Sequence, residues 1–416
     1  MTLLIKNIKQ LIGIAADNHS VLKGNQMASL SILENAFLIA ENGIIKEFST
    51  MENFSSIKHT NFDATIDANN CVVLPGWIDS HTHLVFATTR ELEFVDRIKG
   101  LSYEEIAANG GGILNSAKKI ALATEDELFE SAWQRLIQVI KLGTVAIEIK
   151  SGYGLTIEAE LKMLRVIKRL KAKSPIPIKA TLLAAHAYPI EFKQNHRGYL
   201  DLIINELLPQ VANENLADYF DVFCEKGFFS IEETDELLAA AAQHNLPAKI
   251  HANQLHYSGG VQIGVKHQAI SVDHLECVGD EEIEALKDST TLPVLLPSAA
   301  FFLKLAYQPA RKIMDANLPV VLASDYNPGS SPSGNMNFVV SLACTQMAML
   351  PEEAINACTI NAAYALQLQH ELGSITIGKK ANLIITKPIN NFAVIPYSFG
   401  ESVIDKMIIN GAIFKS

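Results

Sequence analysis

Eight short apolar runs, each followed by an amphipathic stretch of helical period, fill the middle of this 416-residue chain and leave it few ways to fold. The runs fall at about 72–79, 144–150, 178–185, 219–224, 248–251, 270–273, 292–296 and 319–324. Strands buried on both faces read as continuous apolar runs, and strands that alternate with helices pair in parallel. Helix starts are marked by Ser or Thr with Glu three residues on: Ser102 with Glu105, Thr124 with Glu127, and Ser230 with Glu233. Eight such units in about 250 residues predict a (β/α)8 barrel of the TIM type. A doubly wound open sheet would compete, but no glycine-rich phosphate turn follows the first strand.

The two ends of the chain read differently. Short alternating segments at 36–40 and 43–48 are set off by Asn, Gly and Ser turns. Beyond two helices expected at about 335–348 and 352–367, strand-like segments return at 373–375, 381–385 and 403–414. The economical reading is a small β-sandwich domain built from both termini, residues 1–71 and 369–416, flanking a barrel over 72–368.

Composition excludes several function classes. Hydrophobic residues at 49% and charged residues at 19% describe a chain that buries a large core. A net charge of −11 argues against a nucleic-acid or anionic-membrane partner. Five scattered cysteines without a C-x-x-C pair favour reduced thiols and a cytoplasmic location. Residues 1–11 lack the pattern of a secretory signal. The most apolar stretch, 292–307, is interrupted by Pro293, Pro297 and Lys304, so no membrane span is expected.

The histidines follow the strands. His81 and His83 end the first run, and residues i and i+2 of a strand face the same side, so both can reach one ion. Taken alone, such a pair is more often one buried and one solvated histidine. His186, His251 and His274, however, end the third, fifth and sixth runs, and Asp325 ends the eighth. Barrel active sites lie at the C-terminal ends of the strands, so all six converge on one mouth. The other seven of the twelve histidines (His19, His59, His196, His244, His256, His267, His370) fall in polar, helical or loop-like sequence and read as surface.

This set of residues resembles the metal-dependent amidohydrolase superfamily, as do the framing segments Val73-Leu74-Pro75-Gly76 and Gly378 to Leu383. Within it, three segments resemble the imidazolonepropionase family: His81 to Ala87 with Arg90 and Glu93-Phe94, Glu148 to Leu155, and Ser324 to Ser330. The resemblance covers nearly the whole chain. It implies hydrolysis of 4-imidazolone-5-propanoate to N-formimidoyl-L-glutamate, in histidine degradation, by a cytoplasmic homodimer.

The resemblance also implies roles. His81, His83, His251 and Asp325 would hold one Zn2+ or Fe ion per chain, and Asp325 would carry a proton from water to the leaving nitrogen. His274 would orient that water, stabilise the oxyanion, or support another ligand. Gln254 would bond a ring nitrogen, Arg90 would clamp the propanoate, and Tyr153, His186, Asn327, Gly329 and Ser330 would complete the substrate pocket. Binuclear relatives carry a bridging lysine at the end of strand 4. Lys226 is placed beyond that strand and Lys150 reads as ion-paired, hence a single metal. The chain departs from the family at Asn253, where an acid is expected, and at Thr88-Thr89, where Gly-Asp is commoner. A deaminase or hydantoinase of the same superfamily is the rival reading, and Arg90 with the Ser151 to Leu155 loop argues against it. A non-enzymatic relative would have lost metal ligands, and none is missing.

Overall fold

The structure is a computed structural model, and it describes residues 1–16, 20–56, 61–101, 105 and 111–415. His19, His59 and the expected cap at Ser102 lie outside the described residues. The N-terminal strands are β1 (Thr2–Ile14), β2 (Ser31–Glu41), β3 (Ile44–Thr50), β4 (Ala64–Asp67) and β5 (Cys71–Pro75). The barrel strands are β6 (Trp77–Asp79), β7 (Thr144–Lys150), β8 (Ile178–Ala185), β9 (Tyr219–Cys224), β10 (Ala248–Ala252), β11 (Ser271–His274), β12 (Leu292–Leu295) and β13 (Val321–Leu322). The C-terminal strands are β14 (Leu383–Pro388), β15 (Ile404–Ile409) and β16 (Ala412–Ile413).

Both termini build one mixed sheet in the order β16-β15-β14-β5-β1-β2-β3, with β4 also on β1. The segment before β14 bonds back to the β2–β3 turn, Ile45 N–H to Lys379 O at 2.8 Å and Ala381 N–H to Gly43 O at 2.8 Å. The sheet thereby closes around its own core of Leu3, Ile5, Leu38, Ile66, Val73, Leu383 and Ile408. Strands β6 to β13 pair in sequence order and in parallel, as a (β/α)8 barrel should.

The expected single strand over 72–79 is in fact two. Residues 71–75 run in the mixed sheet, paired with β1 and β14, and only Trp77–Asp79 enter the barrel. The chain passes between sheets at Gly76, whose amide bonds Asn382 O at 3.0 Å. A Cβ there would lie 2.1 Å from Val145 Cγ1, so this crossing tolerates only hydrogen. The expected helix over 352–367 is broken at Thr359, between Pro351–Cys358 and Ile360–Ala365. Residues 373–375 form no strand, because Ile375 makes only an isolated bridge to Ile14. The capping boxes at Thr124 and Ser230 are formed.

The eighth strand is shorter than expected, two residues in place of 319–324. Beyond it the ladder gives way to bonds across the seam to the first strand. Asp325 N–H donates to His81 O at 3.0 Å, and His83 N–H donates to Tyr326 O at 2.9 Å. The buried Asp79 carboxylate accepts the Ser324 N–H at 3.0 Å and its hydroxyl at 2.5 Å. Replacing Gly76 by alanine should lower the melting temperature of the metal-loaded protein by several degrees, since overpacking costs about 1–3 kcal/mol. A melt within a degree of wild type would contradict this account of the crossing.

Candidate active site

Strand alternation sorts the barrel residues into two faces. Ile147, Ile149, Ile250 and Val272 join the apolar core shared with the helices, while Glu148, Lys150, Lys249, His251 and Asp273 fill the barrel axis. Barrel interiors ordinarily hold branched aliphatic layers. Here Lys150 Nζ lies 2.9 Å from Glu148 and 2.8 Å from Asp221, and Lys249 Nζ lies 3.0 Å from Glu148, all fully buried. Burial would lower the Lys150 pKa, but Asp221, Glu148 and Asp273 outweigh it and raise it above the ordinary value. Thr181 also donates to Glu148. Lys150 is thus ion-paired, as expected, and the exposed Lys226 lies past the end of β9.

This charged layer holds the histidines above it. Asp273 Oδ2 lies 2.6 Å from His81 Nδ1, and Asp221 Oδ2 lies 3.0 Å from His251 Nδ1. Each contact turns the opposite ring nitrogen toward the mouth. His83 Nε2 then sits 3.4 Å from His251 Nε2, and Asp325 Oδ1 sits 3.5 Å from both His81 Nε2 and His83 Nε2. A tetrahedron of ~2.1 Å metal–nitrogen bonds has edges of about 3.4 Å, and these three separations match such edges. His81 Nε2 is buried with no hydrogen-bond partner among the described residues. Three carboxylates face two ammonium groups in the layer beneath and Asp325 adds a fourth, an excess that a divalent cation balances.

The protonation states suit that fit. Burial first, then Lys150 and the neighbouring histidines, push His81 and His83 well below the ordinary histidine value. Burial takes His251 down to about 4 and His186 to about 3. Neutral imidazoles are the form that ligates a metal. Burial raises the Asp325 carboxyl to about 6, near the range in which it exchanges protons at working pH. Its backbone is left-handed (φ 54°), held by Asn327 Nδ2, which donates to Asp325 O at 2.7 Å.

The other expected residues gather on one side. His186 stacks on His83 (centroids 5.2 Å apart, 15° between planes), and its Nδ1 lies 3.1 Å from Gly152 O. Tyr153 packs beside both, 5.6 Å from the His83 ring and 5.5 Å from His186. The Arg90 guanidinium sits 5.7 Å from the Tyr153 centroid, anchored by Nε and Nη2 to Ser116 Oγ at 3.0 and 2.8 Å. Gly329 lies against it, since a Cβ there would be 2.6 Å from Arg90 Nη1. Asn327 Oδ1 accepts the N–H groups of Gly329 and Ser330, both at 2.8 Å, and Ser330 Oγ donates to Asp325 Oδ2 at 3.1 Å. Gln254 is half-buried on the loop after β10 and makes no hydrogen bond to this group.

Asn253 explains its departure from the family. Its amide donates to Cys277 O at 2.9 Å and accepts from Ser258 Oγ at 2.9 Å, two roles a carboxylate cannot combine. The residues missed from the sequence are the supports: Asp79, Glu148, Asp221, Lys249 and Asp273. Their signal was a charged residue inside or ending an otherwise apolar strand. Of the histidines expected at the surface, His196, His256 and His370 are exposed, and His244 and His267 are half-buried.

A model of the amidohydrolase family matches residues 72–414. The chain is 56% identical over 413 residues to the imidazolonepropionase of Christiangramia forsetii, covering 99% of this chain and 100% of that protein. It is 39% identical over 411 residues to the imidazolonepropionase of Brevibacillus brevis, covering 98% and 97%. The chain belongs to the imidazolonepropionase family of amidohydrolases. The guanine deaminase of C. acetobutylicum, solved with guanine in its active site, superposes with a TM-score of 0.69 at 16% identity, covering 100% of both chains. An adenosine deaminase from Xanthomonas campestris with bound zinc gives 0.68 at 15% identity, covering 99% and 92%. At such identities the likeness concerns the fold alone.

The imidazolonepropionase family is one of metal-dependent hydrolases, and the buried groups His81, His83, His251 and His81, His274, Asp325 could hold an ion. Changing Asp273 to asparagine should weaken metal binding about 10- to 100-fold in a chelator competition, because His81 loses the partner that orients it. An unchanged affinity would show that the contact does not tune the site.

Proposed function

We infer that this chain hydrolyses the cyclic amide of 4-imidazolone-5-propanoate to N-formimidoyl-L-glutamate in histidine degradation, with a single Zn2+ or Fe ion held by His81, His83, His251 and Asp325. What carries the reading is the juxtaposition of that cluster with the Arg90 guanidinium, one tyrosine ring away. A cyclic amide with a carboxylate tail needs both ends. A donor set of nitrogen and carboxylate oxygen, without thiolate, suits zinc or iron. When bound, the ion brings the pKa of a water toward neutrality and polarises the ring carbonyl.

The protein groups do the rest. Arg90, its Nε and one terminal nitrogen held by Ser116, offers Nη1 to the propanoate carboxylate, with the Gly329 turn closing beside it. Tyr153 and His186 wall the ring and keep it over His83. Asp325 takes a proton from the attacking water at its carboxylate, and Ser330 fixes the other oxygen. Water adds to the ring carbonyl carbon and the C–N bond breaks. Asp325 then delivers the proton to the leaving nitrogen. His274, close to Asp325 at the same mouth, orients the water or stabilises the oxyanion. Gln254 bonds a ring nitrogen. All five cysteines are free thiols, in support of a cytoplasmic setting, and among the described residues no helix is long and apolar enough to cross a membrane.

Freshly generated 4-imidazolone-5-propanoate should be turned over by the metal-loaded protein, and His251→Ala should abolish both turnover and bound metal. No turnover by a protein holding one ion per chain would sink the substrate assignment. Arg90→Ala should raise KM about 10- to 100-fold with a smaller change in kcat, as expected for loss of a charge-assisted bond. An unchanged KM would move the carboxylate anchor elsewhere.

A further inference from the structure

Strand β11 ends in an irregular turn. His274 (φ 87°) and Leu275 (φ 66°) both lie in the left-handed region, a conformation that side-chain-bearing residues seldom adopt and almost never in succession. Leu275 is completely buried in the core, which anchors the turn. The result is that Glu276 doubles back beside the residue two before it. Its Oε1 lies 3.7 Å from His274 Nδ1, and its side chain is only 3% exposed. Gln308, from the loop that precedes the 310–315 helix, is buried as well and donates from Nε2 to Glu276 Oε1 at 3.0 Å.

Three polar atoms in this group lack a hydrogen-bond partner among the described residues: His274 Nδ1, Glu276 Oε2 and Gln308 Oε1. A buried N–H or carboxylate oxygen left unpaired costs free energy, so strain and unpaired atoms together mark a place kept for a purpose. Glu276 Oε1, at 3.7 Å from His274 Nδ1, is within an ångström of hydrogen-bonding distance. Hydrogen bonds of this kind are often long in the absence of ligand and tighten in the reactive complex.

We propose that Glu276, seated by Gln308, is a positioning residue for His274: it accepts the Nδ1–H of His274 and so fixes the ring with Nε2 toward the reacting carbonyl. The proposal deepens the hydrolase reading above and rests on it. Among the described residues no hydrogen bond or ion pair joins Glu276 to His81, His83, His251 or Asp325. It acts by removing one ring tautomer and one rotation from His274, the same service that a carboxylate behind a catalytic histidine performs elsewhere. The left-handed pair at 274–275 is what the chain accepts to bring the carboxylate back to the ring.

The test compares wild type with Glu276→Ala, Glu276→Gln and Gln308→Ala, each loaded with zinc and assayed on 4-imidazolone-5-propanoate. Glu276→Ala should lower kcat about 10- to 100-fold, with KM within about threefold and one zinc per chain retained. Glu276→Gln keeps an acceptor of the same reach and should recover kcat to within about tenfold of wild type. Gln308→Ala leaves the carboxylate present but unseated, and should lower kcat severalfold. Ring-15N spectra of the zinc form should show His274 protonated at Nδ1 in wild type and as mixed tautomers in Glu276→Ala.

A kcat for Glu276→Ala within twofold of wild type would overturn the proposal, as would a wild-type tautomer in that variant. A glutamine variant as slow as the alanine variant would also overturn it. Should the alanine variant fail to fold, an unchanged kcat in Gln308→Ala has the same force. A wild type that holds zinc but turns nothing over fails the parent reading instead, and the tautomer measurement then decides the proposal by itself.

Discussion

The seam between the first and eighth barrel strands is the constraint on which the rest depends. The bonds that close the barrel there, Asp325 N–H to His81 O and His83 N–H to Tyr326 O, involve three of the residues proposed to hold the metal. Asp79 adds a buried carboxylate that ties down Ser324, one residue before Asp325. Closure of the fold and assembly of the site are therefore one event. Three of the four proposed donors, His81, His83 and Asp325, lie at this seam. The fourth, His251, comes from β10 and meets them from across the axis.

Beneath the donors, the barrel axis holds carboxylates and ammonium groups where aliphatic side chains would pack more cheaply. Buried ion networks of this kind contribute little stability, since desolvation consumes most of the Coulomb gain. What they supply here is position. Asp273 and Asp221 each hold one metal-facing imidazole and are themselves held by Lys150. A bound cation would also relieve the excess negative charge. The metal-free protein is thus expected to be the less stable form, with site and core sharing one electrostatic balance.

Much of this was legible in the sequence. The eight strands, their order, and the convergence of His81, His83, His186, His251, His274 and Asp325 followed from apolar runs and from what ended each. The failures have physical causes. The run at 72–79 is apolar on both sides of Pro75-Gly76, and periodicity could not show that this glycine hands it from one sheet to another. The short eighth strand was hidden because seam bonds replace ladder bonds without changing the sequence pattern. The supports Glu148, Asp221, Lys249 and Asp273 are not evident from pattern alone, because a charge inside an apolar run does not show which opposite charges the other strands bring to it. Gln254 remains the least placed of the expected residues, half-buried and without a hydrogen bond to the cluster.

The central claim is a mononuclear site built of three imidazoles and one carboxylate. X-ray absorption on the zinc-loaded protein tests it most directly. The account predicts one zinc per chain with only nitrogen and oxygen neighbours at about 2.0–2.2 Å. A metal–metal vector near 3.5 Å, as two-metal sites show, or a sulfur neighbour at about 2.3 Å would contradict it.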